Sequence, residues 1–218
     1  MSFKAERVRF ELSLTFVCLL TSIALTIIAL ATFSWSYEKR RGTSGEYYEV
    51  MWGVAGFCVN DYVPASPGTL SPQCVWFERF DGFPSKIWAA AASLGVSAVV
   101  SFFLTLLLII LGLYFEFANK MIISSSFLSF VFIFITILLY PAGYGRKYIT
   151  KFPVDVDISV DVCSKSVYNI GECSVGYSFI LAIIASFAAL GAFVFGTINE
   201  VKYAKGKKYG HVRSSAYT

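Results

Sequence analysis

Four long stretches without a charged residue constrain this chain more than any other feature. They cover residues 12–37, 87–115, 121–145 and 174–199, and each has at least 25 residues without Asp, Glu, Lys or Arg. A helix of that length rises by roughly 37 Å, and the hydrocarbon core of a bilayer is about 30 Å thick. The sequence therefore predicts a membrane protein with four spans and no separate soluble domain.

Basic residues are denser on one side of the predicted membrane. Segments 1–11, 116–120 and 200–218 hold nine Lys and Arg in 35 residues, whereas 38–86 and 146–173 hold nine in 77. Because cytoplasmic segments are enriched in basic residues, we expect a multi-pass plasma-membrane protein with both termini in the cytoplasm. Arg40 and Arg41, just after the first span, reduce this asymmetry.

The charge-free runs and the distribution of basic residues together predict nine segments, in which membrane spans alternate with segments in water. They are a cytoplasmic N-terminus (1–11), a first span (12–37), a β-rich extracellular loop (38–86), a second span (87–115), a cytoplasmic link (116–120), a third span (121–145), a second extracellular loop (146–173), a fourth span (174–199) and a basic cytoplasmic tail (200–218).

One alternative concerns the N-terminus, where Ala29 and Ala31 have the spacing of a signal-peptidase site after a basic segment. Cleavage there would leave three spans. Signal-peptide apolar regions have about 7–15 residues, and this run is longer and continues through Phe33 and Trp35, so an uncleaved first span is favoured.

Four of the five cysteines fall in the two predicted extracellular loops, which agrees with an oxidising compartment. Four cysteines allow three pairings. Pairing within each loop closes the shortest loops and predicts disulfides Cys58–Cys74 and Cys163–Cys173, with Cys18 free. No metal site is expected because the only histidine, His211, lies in the tail.

Both loops contain sequence typical of β-strands. Residues 47–59 and 73–80 are rich in aromatic and β-branched residues on either side of a Pro-rich connection, and residues 154–162 alternate strictly between apolar and polar. Asp155, Asp157 and Asp161 lie on the polar face of that last strand. A solvated face is favoured over a calcium site, because calcium needs 6–8 converging oxygens.

Two sets of motifs carry a resemblance to known tetraspans. Trp35, then Trp52 and Gly53, then Cys58 and Cys74, resemble the signature of the claudin superfamily, although Val54 and Ala55 replace its usual Leu and Trp.

The second half is more specific. The Tyr-Pro-x-Gly of Tyr140 to Gly143, the stretch from Cys163 through Tyr168 and Gly171 to Cys173, and the start of the fourth span are similar to the lipoma HMGIC fusion partner-like (LHFPL) family. The stretch from Phe83 to Lys86 is also similar to this family.

The resemblance implies an all-α membrane four-helix bundle with a small extracellular β-sheet, a claudin-like tetraspan. It also implies a non-enzymatic accessory subunit of an ion channel or receptor, such as mechanotransduction channels or GABA type A receptors, that supports assembly, trafficking or localisation. The alternative is a claudin-type cell-junction adhesion or paracellular barrier protein. The expected partners are integral membrane channel or receptor subunits, membrane lipids and a second copy of the chain, with no nucleic acid.

The residue types present argue against catalysis and transport. No Asp, Glu, Lys or Arg lies within a span, although ion and proton pathways usually place such residues there. The loops contain no histidine, no phosphate-binding glycine motif and no metal-ligand set, so neither catalytic residues nor a cofactor is expected.

Two further patterns suggest contacts. Trp76, Phe77, Phe80 and Phe83 place four aromatics within eight residues, as partner contacts or as packing of the sheet against the helices. Small residues recur at four-residue spacing, as at Ala91 and Gly95 or Ala185 and Ala189, and are expected mainly to pack the protein's own helices.

Overall fold

The fold is described from a computed structural model. The structure describes residues 2–41, 47–62, 73–77, 83–112, 118–144, 147–151, 157–161, 163 and 173–215. Its helices are α1 (Ser2–Ala31), α2 (Lys86–Gly112), α3 (Ala118–Ala142) and α4 (Tyr177–Ser215). Within these residues four helical segments are long and apolar enough to cross a membrane, namely Ser13–Ala31, Lys86–Leu111, Lys120–Ala142 and Tyr177–Lys202. The predicted multi-pass architecture is confirmed.

The predicted spans and the helices differ at their loop-side ends. The first charge-free run continues to residue 37, but α1 ends at Ala31 and strand β1 begins at Ser36. The backbone N–H of Trp35 donates to the carbonyl of Trp52 instead of to the preceding helical turn. Similarly, the fourth run begins at residue 174, but Ser174 belongs to a strand and α4 begins at Tyr177. The charge-free runs therefore locate the apolar segments, but they do not show where the helices begin and end.

The loops form an antiparallel sheet of five strands among the described residues. The strands are β1 (Ser36–Arg41), β2 (Tyr47–Trp52), β3 (Gly56–Tyr62), β4 (Gln73–Trp76) and β7 (Ser174–Val175), in the order β4-β3-β2-β1-β7. The predicted strands within 47–59 and 73–80 are present, and three residues separate β2 from β3. The inner strand β1 and the edge strand β7 were not predicted.

A separate two-stranded ribbon contains β5 (Lys147–Lys151) and β6 (Asp157–Asp161). The strand predicted over 154–162 is confirmed over the residues of β6, and the rest of it, with Asp155, lies outside the described residues. Its register places Asp161 opposite Lys147 and Asp157 opposite Lys151.

The chain forms two compact units. The helical unit contains Met1–Ala24, Ser97–Val131 and Ile184–Thr218, and the sheet unit contains Leu25–Val96 and Phe132–Ile183. Each includes a segment of every helix, and the five-stranded sheet lies entirely in the sheet unit.

Small and hydroxylated side chains pack the helical unit. Ala185 and Ala189 are fully buried, and Ser22 Oγ donates to the carbonyl of Ala185 over 2.7 Å. On the other pair of helices, the hydroxyls of Thr105 and Ser125 lie 2.6 Å apart. These contacts support the prediction that small-residue spacing packs the protein's own helices.

Candidate functional site at the junction of sheet and helices

Residues 32–36 lead from the end of α1 to the first residue of β1 within the sheet unit, and we call them the junction segment. The carbonyl of Trp35 accepts from the N–H of Gly176, and the carbonyl of Ser34 accepts from the N–H of Ser178, over 2.9 and 3.0 Å. The hydroxyls of Thr32 and Ser178 lie 2.6 Å apart. The junction segment therefore joins the end of α1 to β2 and to the start of α4.

Trp35 is the largest side chain of the junction segment and is almost completely buried. Its Nε1–H donates to the carbonyl of Ala29 over 2.6 Å, which occupies an acceptor in the last turn of α1. Its ring lies 4.9 Å from the ring of Tyr140 and 5.7 Å from that of Phe179. Trp35 thus packs the end of α1 against α3 and α4.

Tyr140 and Trp88 connect α2 and α3 to the same core. Their rings are nearly parallel with centroids 5.1 Å apart, and Trp88 Nε1–H donates to the carbonyl of Tyr140 over 2.8 Å. The Tyr140 hydroxyl donates to the carbonyl of Trp52 over 3.2 Å and lies 2.8 Å from Ser36 Oγ. One tyrosine therefore contacts a helix and two strands.

Glycines allow close approach to the junction segment from both sides. A Cβ on Gly53, at the β2–β3 turn, would lie 2.9 Å from Phe33 Cα, and a Cβ on Gly176 would overlap the carbonyl of Ser34. Gly53 belongs to the claudin-like motif of the sequence, and its role here is to leave space for Phe33.

The two disulfides occupy different environments. Cys58–Cys74 joins directly opposite residues of β3 and β4, and Cys74 is exposed. Cys163–Cys173 is buried, with Cys163 Sγ 3.3 Å from Ser36 Oγ and Cys173 Sγ 3.9 Å from Glu38 Oε2. Because disulfide sulfur carries no hydrogen, the serine hydroxyl is the group that can donate. Both disulfides join the cysteines that were predicted to pair, and Cys18 is free.

Cys163 has a φ of 61°, which is uncommon for a residue with a side chain. The disulfide and the buried surroundings hold this backbone conformation. Both cysteines of this disulfide therefore lie against β1, at Ser36 and Glu38.

Tyr144 lies just beyond α3 and is buried, with its ring 5.5 Å from that of Tyr140. Burial raises the pKa of Tyr144 to about 12, and hydrogen bonds with Ser36 and Tyr140 act in the opposite direction. The group is a neutral hydrogen-bonding phenol at physiological pH, and its burial gives it no access to an external substrate.

The four predicted contact aromatics separate into different environments. Phe77 and Phe83 are half-buried, with ring centroids 4.9 Å apart, and both pack against the buried core. Trp76 is exposed on the edge strand β4, and Phe80 lies outside the described residues. These contacts favour the packing alternative for Phe77 and Phe83 and leave Trp76 as the exposed candidate.

The family-motif residues are also partly placed. Trp35, Trp52 and Gly53 meet in the buried core of the sheet unit, whereas Tyr168 and Gly171 lie outside the described residues. Sequence reasoning did not select Trp88, Ser36 or Tyr144. Trp88 carried a usable signal as a lone tryptophan two residues inside an apolar span, but nothing in the sequence showed that Ser36 faces Tyr140.

The contacts of this region connect helix ends to strands. The indoles of Trp35 and Trp88 donate to the helix-end carbonyls of Ala29 and Tyr140, and the Tyr140 hydroxyl donates to the strand carbonyl of Trp52. Among the residues that the structure describes, no group of three or more His, Cys, Asp or Glu could hold a metal ion.

A sequence model of the lipoma HMGIC fusion partner-like protein family matches residues 12–199. This match includes the first three spans, the fourth span up to residue 199, both disulfides and the whole sheet unit. A comparison of the chain with curated proteins finds no match.

Proposed function

We propose, from the premise that the chain belongs to the lipoma HMGIC fusion partner-like family, that it is a non-enzymatic accessory subunit of an ion channel or receptor complex. In this role it supports the assembly, trafficking or localisation of the complex in the plasma membrane. The observation that carries the proposal is the family match over most of the chain. The polar groups of the junction segment also support it, because they bond within the protein. Contact with other molecules is then left to the outer surfaces of the protein and not to a reactive site.

Contact with the partner is proposed to use the outward faces of the spans. Large apolar side chains are exposed along α2, including Val96 and Val100, and along α4, including Ile184 and Phe187. The alanines Ala185 and Ala189 are already buried inside the protein. A partner helix would therefore pack against large side chains on one of these faces, and lipid would cover the other.

The test is co-purification from native membranes in mild detergent, followed by removal of the chain from the same cells. We expect a co-purifying channel or receptor whose surface level falls when this chain is absent. Val100→Trp on α2 and Phe187→Ala on α4 are matched face variants, and one of them should weaken co-purification without changing the chain's own abundance.

The competing claudin-type function predicts a different result. A barrier protein would form a continuous belt at cell contacts, and its removal would increase paracellular permeability with no change in the surface level of any channel. That pair of results would contradict the accessory-subunit proposal.

The proposed orientation places both termini in the cytoplasm, with the basic tail near anionic lipid of the inner leaflet. Nearby basic residues contribute about 1 kcal/mol each to such attraction. Tags at residues 1 and 218 should stay unlabelled in intact cells, whereas a tag within 64–72 should be labelled. Loss of an N-terminal tag through cleavage after Ala31 would contradict the four-span arrangement of the mature protein.

A further inference from the structure

Exposed aromatic side chains lie at both edges of the five-stranded sheet. Trp76 on β4 is 51% exposed, and Tyr177, two residues after β7, is 56% exposed. Trp35, Trp52 and Trp88 are at most 1% exposed. The two exposed aromatics therefore differ from the packed ones and need a separate explanation.

Trp76 lies at the level where the first span ends. Its ring meets the ring of Phe33 edge to face, with centroids 4.5 Å apart, and Phe33 is two residues beyond the end of α1. The span Ser13–Ala31 has 19 residues. Such a helix is about 28 Å long, close to the thickness of the hydrocarbon core, so its end marks the boundary between acyl chains and headgroups.

Tyr177 lies at the same boundary. It is the first residue of α4 and of the fourth span, and the next residue, Ser178, bonds to the carbonyl of Ser34 in the junction segment. Trp76 thus contacts Phe33, and the residue after Tyr177 bonds to Ser34. Both aromatics are therefore held next to consecutive residues of the junction segment.

The edge strand β4 is held at this level by several contacts. The N–H of Phe77 donates to the carbonyl of Ala55 over 2.9 Å, and the Cys58–Cys74 disulfide joins β4 to β3. A Cβ on Gly56 would lie 2.5 Å from Phe33 Cε1 and 3.1 Å from Trp76 Cα. The glycine allows the sheet to approach Phe33, which fixes the height of Trp76 relative to α1.

The surroundings of both aromatics continue the lipid-facing surface of the spans. Ile27 and Ile28 are exposed in the last turn of α1, and Val175 and Ile180 are exposed on either side of Tyr177. Trp and Tyr are enriched where membrane meets water, because an apolar ring and a polar N–H or O–H suit the headgroup region.

We propose that Trp76 and Tyr177 insert into the headgroup region of the leaflet on the loop side and attach both edges of the sheet to lipid. The occupant of this surface is the host bilayer, since the exposed side chains are continuous with the membrane-facing helices. The proposal does not depend on the accessory-subunit function. It also removes Trp76 from the candidate protein contacts.

The test is depth-dependent quenching of tryptophan fluorescence in the full chain, reconstituted in phosphatidylcholine vesicles. Three quenchers are compared: lipid brominated near the headgroup, lipid brominated deep in the acyl chain, and iodide in water. Subtracting the signal of Trp76→Phe isolates the emission of Trp76, and Trp76→Tyr gives the same subtraction if the phenylalanine variant does not fold.

We expect the Trp76 signal to lose most intensity with the shallow lipid quencher and little with iodide. Tyr177→Trp in the Trp76→Phe background should behave in the same way. Val100→Trp, near the middle of α2, is the control and should respond most to the deep quencher. Quenching of the Trp76 signal by iodide alone would show that it faces water, and quenching by none of the three would show that protein covers it; either result overturns the proposal.

Discussion

The two units of this protein are packed by different chemistry. In the helical unit, alanines and hydroxyls let helices approach closely, as where Ser22 donates to the carbonyl of Ala185. In the sheet unit, large aromatics fill the interior, and Trp35, Trp88 and Tyr140 each donate to a backbone carbonyl. We therefore expect stability in the first unit to be divided among many small contacts, and in the second to be concentrated in a few residues.

This difference follows from what each unit has to connect. Helix segments satisfy their own backbone groups, so small side chains suffice to bring them together. Where helices end and strands begin, terminal carbonyls need donors, and a tryptophan indole supplies both a donor and a large apolar surface. The consequence is that substitutions of equal size should have unequal effects in the two units.

The largest effect is expected for Trp88→Ala in the sheet unit. The change removes a fully buried ring and its hydrogen bond to Tyr140, and such truncations cost about 3–5 kcal/mol. Thermal unfolding in detergent and surface abundance should both fall sharply. Trp76→Ala is the matched control on an exposed tryptophan, and equal losses for both variants would contradict the packing described for Trp88.

The two disulfides should respond in a fixed order to a reductant. Cys58–Cys74 should open first because Cys74 is exposed, whereas Cys163 and Cys173 are buried beside Ser36 and Glu38. Differential alkylation with mass spectrometry across a dithiothreitol titration measures the order. Removing a native disulfide typically costs about 2–5 kcal/mol, and the double serine variant of the buried pair should lose more stability than that of the exposed pair. If both disulfides opened at the same dithiothreitol concentration, burial would not protect Cys163–Cys173 from the reductant.

A smaller effect is expected for the hydroxyl pair Thr105 and Ser125 in the helical unit. Their 2.6 Å contact is one of several, and interhelical hydrogen bonds in membrane proteins average about 0.6 kcal/mol and reach about 2. A double-mutant cycle with Thr105→Val and Ser125→Ala measures the coupling from unfolding midpoints. If the coupling free energy were as large as the loss of stability caused by Trp88→Ala, the proposed contrast between the two units would be wrong.

At neutral pH the smallest effect is expected from Tyr144→Phe, which keeps the ring and removes one hydroxyl. The wild-type contribution depends on pH, because burial raises the pKa of Tyr144 to about 12, above its ordinary value of about 10 in the unfolded chain. The stabilisation is fully present below the unfolded pKa and is lost as pH rises through the folded value. Comparing unfolding midpoints at about pH 9 and about pH 11 should show a larger drop for the wild type than for Tyr144→Phe; equal drops would contradict this assignment.

Sequence reasoning found the spans because charge is excluded from a membrane interior, and it found both disulfides because loop closure and compartment restrict the pairing. It missed β1, whose Glu38, Lys39, Arg40 and Arg41 resemble a charged flank of the first span. It did not recognise that Glu38, on an inner strand of the sheet, is buried. Long-range pairing decides such a strand, and its local residues do not reveal it.

The aromatic cluster shows the same limit. Trp76, Phe77 and Phe83 could be grouped from their spacing, but which of them packs inside depends on where α2 begins and where β4 pairs. The start of α2 and the pairing of β4 together place Phe77 against the core and Trp76 against Phe33. The aromatic cluster in the sequence therefore indicated where the edge of the sheet lies. It did not show which of its side chains are buried and which are exposed.

The pairing of β1 with β7 has a consequence for biosynthesis. β1 follows the first span, whereas β7 immediately precedes the fourth, so the sheet gains its last strand only after nearly four fifths of the chain have been translated. Until then one side of β1 remains an open edge able to pair with other chains. Closure of this edge coincides with arrival of the last helix, so a chain truncated before residue 174 should retain chaperones at the β1 edge.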